Sequence, residues 1–175
     1  MRKSKSIRWI FAPLLFVPSC SSSSTPAGNN APAGDGGTAL SGNLGALGPL
    51  QATVSSLFIS NSGETLIYMS SAPITCDQLK VSRWLGGATK GSQVVEIVFR
   101  GPPTVGTIQV PPGEVNYAAG GRSSASEVLA DSGSITISKA EPNVAVEGAV
   151  TAKYAGGAAI DGPFRATFCA EGQGY

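Results

Sequence analysis

The sequence of 175 residues contains no histidine, and this absence excludes more functions than any residue in it supports. Serine and cysteine hydrolases of the triad type need an imidazole as general base, and the common zinc, copper and non-haem iron sites use imidazole ligands. A catalytic thiolate at one of the 3 cysteines would also lack its usual base. We therefore expect a protein that is not an enzyme and that has no catalytic residue, metal ion or cofactor.

Carboxylates are also few, and none of them stands in a recognised motif. The 11 Asp and Glu residues form no D-x-D, E-x-x-E or calcium-loop pattern. A pair of distant carboxylates, for example Glu96 with Glu114, could still serve a glycoside hydrolase if the fold brought the two together. Each lies on a predicted strand, however, where an acidic residue more commonly alternates towards solvent.

Long apolar runs are absent, and the one short run stands in an informative place. Residues 9–17 (WIFAPLLFV) are too few to span a membrane, which takes about 20 apolar residues. They follow a segment with four Lys and Arg residues and precede the sequence Val17-Pro18-Ser19-Cys20. A basic start, a short apolar core and a small residue before a cleavage point are the parts of a secretion signal.

This arrangement resembles the signal peptide and lipobox of bacterial lipoproteins. The resemblance implies that residues 1–19 are a signal peptide, that Cys20 carries a diacylglyceryl group, and that its new amine is acylated, commonly with palmitate. Ser21, in place of Asp, implies sorting to the outer membrane of a Gram-negative cell. An ordinary secretory signal followed by an unmodified cysteine is the alternative.

Loss of residues 1–19 would reverse the sign of the net charge. The full chain has 12 Lys and Arg against 11 Asp and Glu, but four of the basic residues lie in the signal, which leaves a net charge of −3. A mildly acidic chain offers no clustered basic surface for nucleic acid. We expect acyl chains to hold the protein in the membrane of the cell envelope, with an envelope protein or glycan as candidate partner.

Small and polar residues dominate after Cys20. In residues 20–46, Ser, Gly, Ala, Pro and Asn replace nearly every large apolar side chain, so the segment cannot bury enough surface to offset its ordering entropy. It is predicted to be a flexible linker. Residues 47–175 suit a single β-rich domain with one core.

Short β-branched segments with a period of two, separated by Gly, Pro, Asn or Asp, predict antiparallel strands throughout this domain. The predicted fold is mainly β, an antiparallel β-sandwich or small β-barrel of about 8–9 strands with one short helix. The strands are predicted at residues 52–59, 65–70, 93–100, 104–110, 114–118, 126–129, 134–138, 144–154 and 164–169.

One segment breaks the period of two. Thr75 and Gln78 have the spacing of a capping box, and Gly86 suits the end of a helix. A helix of two or three turns is predicted here, with a long irregular loop as the alternative.

The pairing of the cysteines depends on the lipoprotein resemblance. If Cys20 carries lipid, Cys76 and Cys169 remain as an even set in an oxidising compartment, and a disulfide between them is the economical prediction. It would join the start of the helix to the last strand.

The domain is also similar to small uncharacterised lipoproteins of the myxobacterial type. Residues 74–79 (ITCDQL) place a cysteine in a short helix, and residues 162–169 (GPFRATFC) match the Gly-x-Phe-x-Ala-x-x-Cys strand on which those proteins often close. This resemblance supports the fold and the disulfide, and it implies no activity.

Candidate ligand contacts are Tyr117, Arg122 and Tyr154, which lie near Gly-rich turns where a loop can present a side chain. The alternative is that the tyrosines pack with their hydroxyls at the surface. We expect a membrane-anchored extracytoplasmic lipoprotein with a structural or protein-binding role. By architecture alone the domain also resembles small periplasmic lysozyme inhibitors, in which case residues 120–123 (GGRS) would enter a hydrolase cleft.

Overall fold

A computed structural model describes residues 40–60, 63–81, 90–120 and 127–170, most of which belong to one sheet. The elements in chain order are β1 (Ser41–Asn43), β2 (Ser55–Ser60), β3 (Glu64–Ser70), α1 (Cys76–Val81), β4 (Gln93–Arg100), β5 (Gly106–Val110), β6 (Glu114–Ala119), β7 (Val128–Leu129), β8 (Ser132–Glu141), β9 (Ala145–Lys153) and β10 (Ala159–Phe168).

The strands lie in the order β5-β8-β9-β10-β2-β3-β4-β6-β7, and β1 pairs with β10. The sheet curls into a half-barrel, so the predicted mainly-β fold with one short helix is confirmed. One pairing departs from the antiparallel pattern. β10 and β2 run parallel and share only two residue pairs, Thr167 with Leu57 and Phe168 with Phe58.

The curled sheet encloses the main core on its inner face. Aliphatic and aromatic side chains from both halves of the sheet meet there, among them Phe58, Ile67, Ile97, Ile135, Val150 and Phe164. In β8, β9 and β10 the more buried residues tend to alternate with the more exposed ones. This period of two is expected for strands with one face towards the core and one towards solvent.

Strands β2, β3 and β4 are buried on both faces, and each has apolar residues at adjacent positions that point to opposite faces. A second cluster lies on their outer face, where α1 covers one end of the sheet. It comprises Leu57, Ile59, Leu66, Tyr68, Ile74, Leu79, Val94, Ala118 and Cys169.

The folded domain begins earlier than residue 47, the predicted start. Leu40 and Leu44 are buried in the main core, and β1 between them pairs with β10. The buried Gln93 side chain then holds the next segment, because its amide donates to the carbonyls of Leu47 and Pro49 and accepts a hydrogen bond from the Gln51 amide. Residues 1–39, with the predicted signal, Cys20 and most of the predicted linker, lie outside the described residues.

The predicted capping box is present at the start of α1. The Thr75 amide donates to Oε1 of Gln78 at 2.8 Å, and the Gln78 amide donates to Oγ1 of Thr75 at 3.3 Å. The predicted disulfide between Cys76 and Cys169 is also present, and it ties the first residue of α1 to the end of β10. The predicted helix end at Gly86 lies outside the described residues.

Candidate functional site: an acidic cavity

The two tyrosines predicted as ligand contacts lie in the core, and that prediction is wrong. Tyr117 and Tyr154 are 6% and 4% exposed, and their rings pack edge to face with centroids 4.7 Å apart. Burial, and then the neighbouring Tyr117, raise the pKa of Tyr154. Both tyrosines lie near turns, as predicted, but Tyr117 is on the inner face of β6 and Tyr154 packs against it in the main core. Arg122, the third candidate, lies outside the described residues.

The strongest candidate site is a cavity on the outer face of the sheet, at the end opposite α1. Its volume is about 250 Å³. We call it the acidic cavity, and its lining residues are Glu64, Leu66, Glu96, Val98, Glu114, Asn116, Glu127 and Leu129.

Strand register places these side chains on one face. Glu96 of β4 stands opposite Tyr68 of β3 on one side and Asn116 of β6 on the other. Val98 stands opposite Glu114. Because successive side chains alternate between faces, the even-numbered residues of β3, β4 and β6 all point to the outer face.

Glu96 and Asn116 form the deep part of the cavity, since they are 1% and 3% exposed. Neither carboxylate oxygen of Glu96 has a hydrogen-bond partner among the described residues, and the same holds for Oδ1 of Asn116 and Oε1 of Glu127. Buried polar atoms are satisfied in the great majority of cases. Four unpartnered acceptor oxygens at one place are therefore an unusual concentration.

The electrostatics of the cavity favour the neutral form of Glu96 over the charged form. Burial is the main cause, and it raises the pKa of Glu96 to about 7. Tyr68 and Asn116 are close enough to lower this pKa in part, while the charges of Glu127 and Glu114 raise it. Burial, followed by the charge of Glu114, also raises the pKa of Glu127.

The unpartnered polar atoms of the acidic cavity are all oxygens, from two glutamates and the Asn116 amide, so they favour a ligand that donates hydrogen bonds. An ammonium or guanidinium group would supply both positive charge and N–H donors. Within the described ranges, no three His, Cys, Asp or Glu side chains converge closely enough to hold one metal ion. The carboxylates are thus spread around the cavity.

The fold does bring together the one carboxylate pair suggested by the sequence, Glu96 and Glu114. The expectation that such strand carboxylates face solvent is correct for Glu114 and wrong for Glu96. Sequence analysis missed Glu64, Asn116 and Glu127. The available signal was the Glu in the apolar run of residues 93–99 (QVVEIVF), because a strand covered on both faces cannot turn it to water.

Comparisons with protein-family models, curated proteins and solved structures find no match to this chain. Among the residues that the structure describes, no helix has the length and apolar character needed to cross a membrane.

Proposed function

We propose that the protein is a lipid-anchored binding module of the cell envelope, which holds a positively charged, hydrogen-bond-donating ligand in the acidic cavity. The observation that carries the proposal is the buried Glu96 carboxylate, neither of whose oxygens has a hydrogen-bond partner among the described residues. Leaving such a group unsatisfied costs about 1 to 3 kcal/mol, and a charged group costs more. A bound cation would remove that cost.

The anchor is supported by the sequence at Cys20. An apolar segment after basic residues, a cysteine after Ser19 and a small-residue linker would together tether the domain outside the cytoplasm. Two or three acyl chains give stable membrane attachment where one gives only reversible binding.

Ligand binding is tested by thermal unfolding of the full-length protein in nonionic detergent at pH 8. A panel of cations (calcium chloride, arginine amide and spermidine) is compared at constant ionic strength. A cation at about 100 times its Kd should raise the unfolding midpoint by roughly 5 to 10 °C in the wild type and much less in Glu96→Gln. If no cation of any class raises the wild-type midpoint, the binding proposal fails.

The anchor is tested separately with Cys20→Ser. This change should release the protein from membranes or leave uncleaved precursor, as measured by fractionation and intact mass. An unchanged mass and membrane fraction would refute lipidation while leaving the cavity proposal standing.

A carboxylate-dependent hydrolase is the second candidate, favoured by one observation. Glycoside hydrolases pair a carboxylic acid of raised pKa with a second carboxylate. Glu96, whose pKa is raised, lines the same cavity as Glu114. Release of reducing sugar from envelope glycans by the wild type, lost in both Glu96→Gln and Glu114→Gln, would replace the binding proposal.

The lysozyme-inhibitor hypothesis depends on Arg122, outside the described residues, and stays a prediction of the sequence. Assays of purified lysozymes with wild type and Arg122→Ala decide it, since absence of inhibition by either protein would refute it.

A further inference from the structure

We infer that the ligand of the acidic cavity is a linear aliphatic polyamine, a chain of methylene groups with two or more ammonium groups. The inference rests on the proposed function and names its ligand class. It follows from four features of the cavity, which are its division of charge, its apolar lining, its size and its net charge.

The unpartnered oxygens are divided among separate side chains. They belong to Glu96, Asn116 and Glu127, which come from three different segments of the sheet. A guanidinium group could take both oxygens of Glu96, but Oδ1 of Asn116 and Oε1 of Glu127 are further unpartnered acceptors on other side chains. Several ammonium groups, each with three N–H donors, match acceptors that are spread over a cavity.

Apolar side chains stand between the acidic ones. Leu66, Val98 and Leu129 share the lining with the four glutamates, and Val98 lies directly between Leu66 of β3 and Glu114 of β6. A ligand that alternates methylene segments with ammonium groups would satisfy both kinds of surface. No aromatic ring is among the described lining residues, so the cage that selects quaternary ammonium ions is not formed by them.

The size of the cavity favours a narrow ligand. At about 250 Å³ it lies below the roughly 300 to 1,000 Å³ typical of sites for drug-sized molecules. Leu129 at its rim is 55% exposed, which leaves an apolar edge over which an alkyl chain can extend.

Charge and protonation are coupled at this site. The ionisable groups facing Glu96 are Glu64 and Tyr68 on β3, Glu114 on β6 and Glu127 before β7, and Arg100 follows on its own strand. One arginine among four carboxylates leaves an excess of negative charge. An ammonium group would then take the place of the proton on Glu96.

The experiment is isothermal titration calorimetry of the full-length protein in nonionic detergent with spermidine, at pH 6 and pH 8 and constant ionic strength. Because Glu96 must lose its proton, the wild-type affinity should rise about tenfold between the two pH values. Glu96→Gln should bind at least tenfold more weakly at pH 8 and should lose this pH dependence. Glu147→Gln is the matched control, since Glu147 lies outside the cavity in a surface ion network with Lys139 and Arg165.

The outcomes separate the inference from the proposed function. If arginine amide or calcium binds in a Glu96-dependent manner and spermidine does not, the inference of a polyamine ligand is wrong, but the proposal of a cation-binding module is retained. Binding of a lysine-rich peptide in preference to spermidine would likewise overturn the inference in favour of a protein partner. If spermidine binds wild type and Glu96→Gln equally well at both pH values, its site is elsewhere and the inference fails.

Discussion

Glu96 owes its properties to a strand that is covered on both faces. Its chain neighbours Val95 and Ile97 belong to the main core, while its own side chain points to the outer face beside Tyr68 and Asn116. On a strand with one wet face the same residue would be solvated and have an ordinary pKa. Here only 1% of the residue is exposed.

Glu96→Gln is expected to stabilise the protein above pH 7. The pKa of Glu96 is about 7 in the folded protein against 4.5 for an unperturbed Glu, so the folded state holds its proton more tightly than the unfolded state does. The free energy of unfolding should therefore fall as the pH rises from about 4.5 through about 7. At 1.36 kcal/mol per pKa unit the loss at pH 8 is on the order of 3 kcal/mol, and the glutamine variant should avoid most of it.

Urea unfolding at pH 5 and pH 8 measures this difference. The wild type should lose stability over that interval, and Glu96→Gln should lose much less, with Glu147→Gln following the wild type. Equal losses in wild type and Glu96→Gln would show that Glu96 is ionised in the folded protein at pH 5.

At the scale of elements, the sequence predicts correctly those features whose defining residues are close together in the chain. The predicted bounds of β4 agree with the structure, and so does the cap of α1. β10 begins at Ala159, earlier than the predicted 164. The prediction was too short because Pro163 interrupts the alternating sequence pattern. Pro163 is tolerated at a position where β10 pairs with β9 alone, since β1 and β2 each meet β10 only near its ends.

The segment ahead of β2 could not be predicted from composition. Leu40 and Leu44 are buried within a stretch of small residues, and the contacts that fix them come from strands more than a hundred residues away. The same limit applies to the acidic cavity. Its members are far apart in the chain, and only the strand order brings Glu127 beside Glu96.

Gln93 is expected to fix this N-terminal segment to the sheet. Gln93→Ala removes three hydrogen bonds to residues 47–51 and leaves their backbone groups unpaired, so it should cost about 2 to 4 kcal/mol of unfolding free energy. Gln109→Ala on the exposed face of β5 is the control and should cost less than about 0.5 kcal/mol. Chemical denaturation measures both, and similar costs for the two variants would contradict the role given to Gln93.

At the scale of the whole molecule, a short pairing between β10 and β2 joins the two halves of the sheet, β5-β8-β9-β10 and β2-β3-β4-β6-β7. β10 and β2 share two residue pairs, and the Cys169 amide adds a hydrogen bond to the Phe58 carbonyl directly beyond them. The disulfide from Cys169 to Cys76 lies at this pairing and ties it to α1.

Replacement of both cysteines by serine should destabilise the protein by about 4 to 5 kcal/mol, because the bond closes a loop of 93 residues and restricts the unfolded chain. Thermal unfolding of Cys76→Ser/Cys169→Ser against the wild type measures the effect. An unchanged midpoint in the double variant would contradict this account.

The Gln93 contacts have a mechanical consequence for a chain that is pulled from its N-terminal side. Tension applied ahead of Leu40 would act first on β1, which three residue pairs hold against β10. Once β1 detached, the load would reach residues 47–51, where the Gln93 side chain resists further peeling. Glu96 lies further along the same strand and on its other face, so the domain could yield at its tether and lengthen there while the cavity kept its shape.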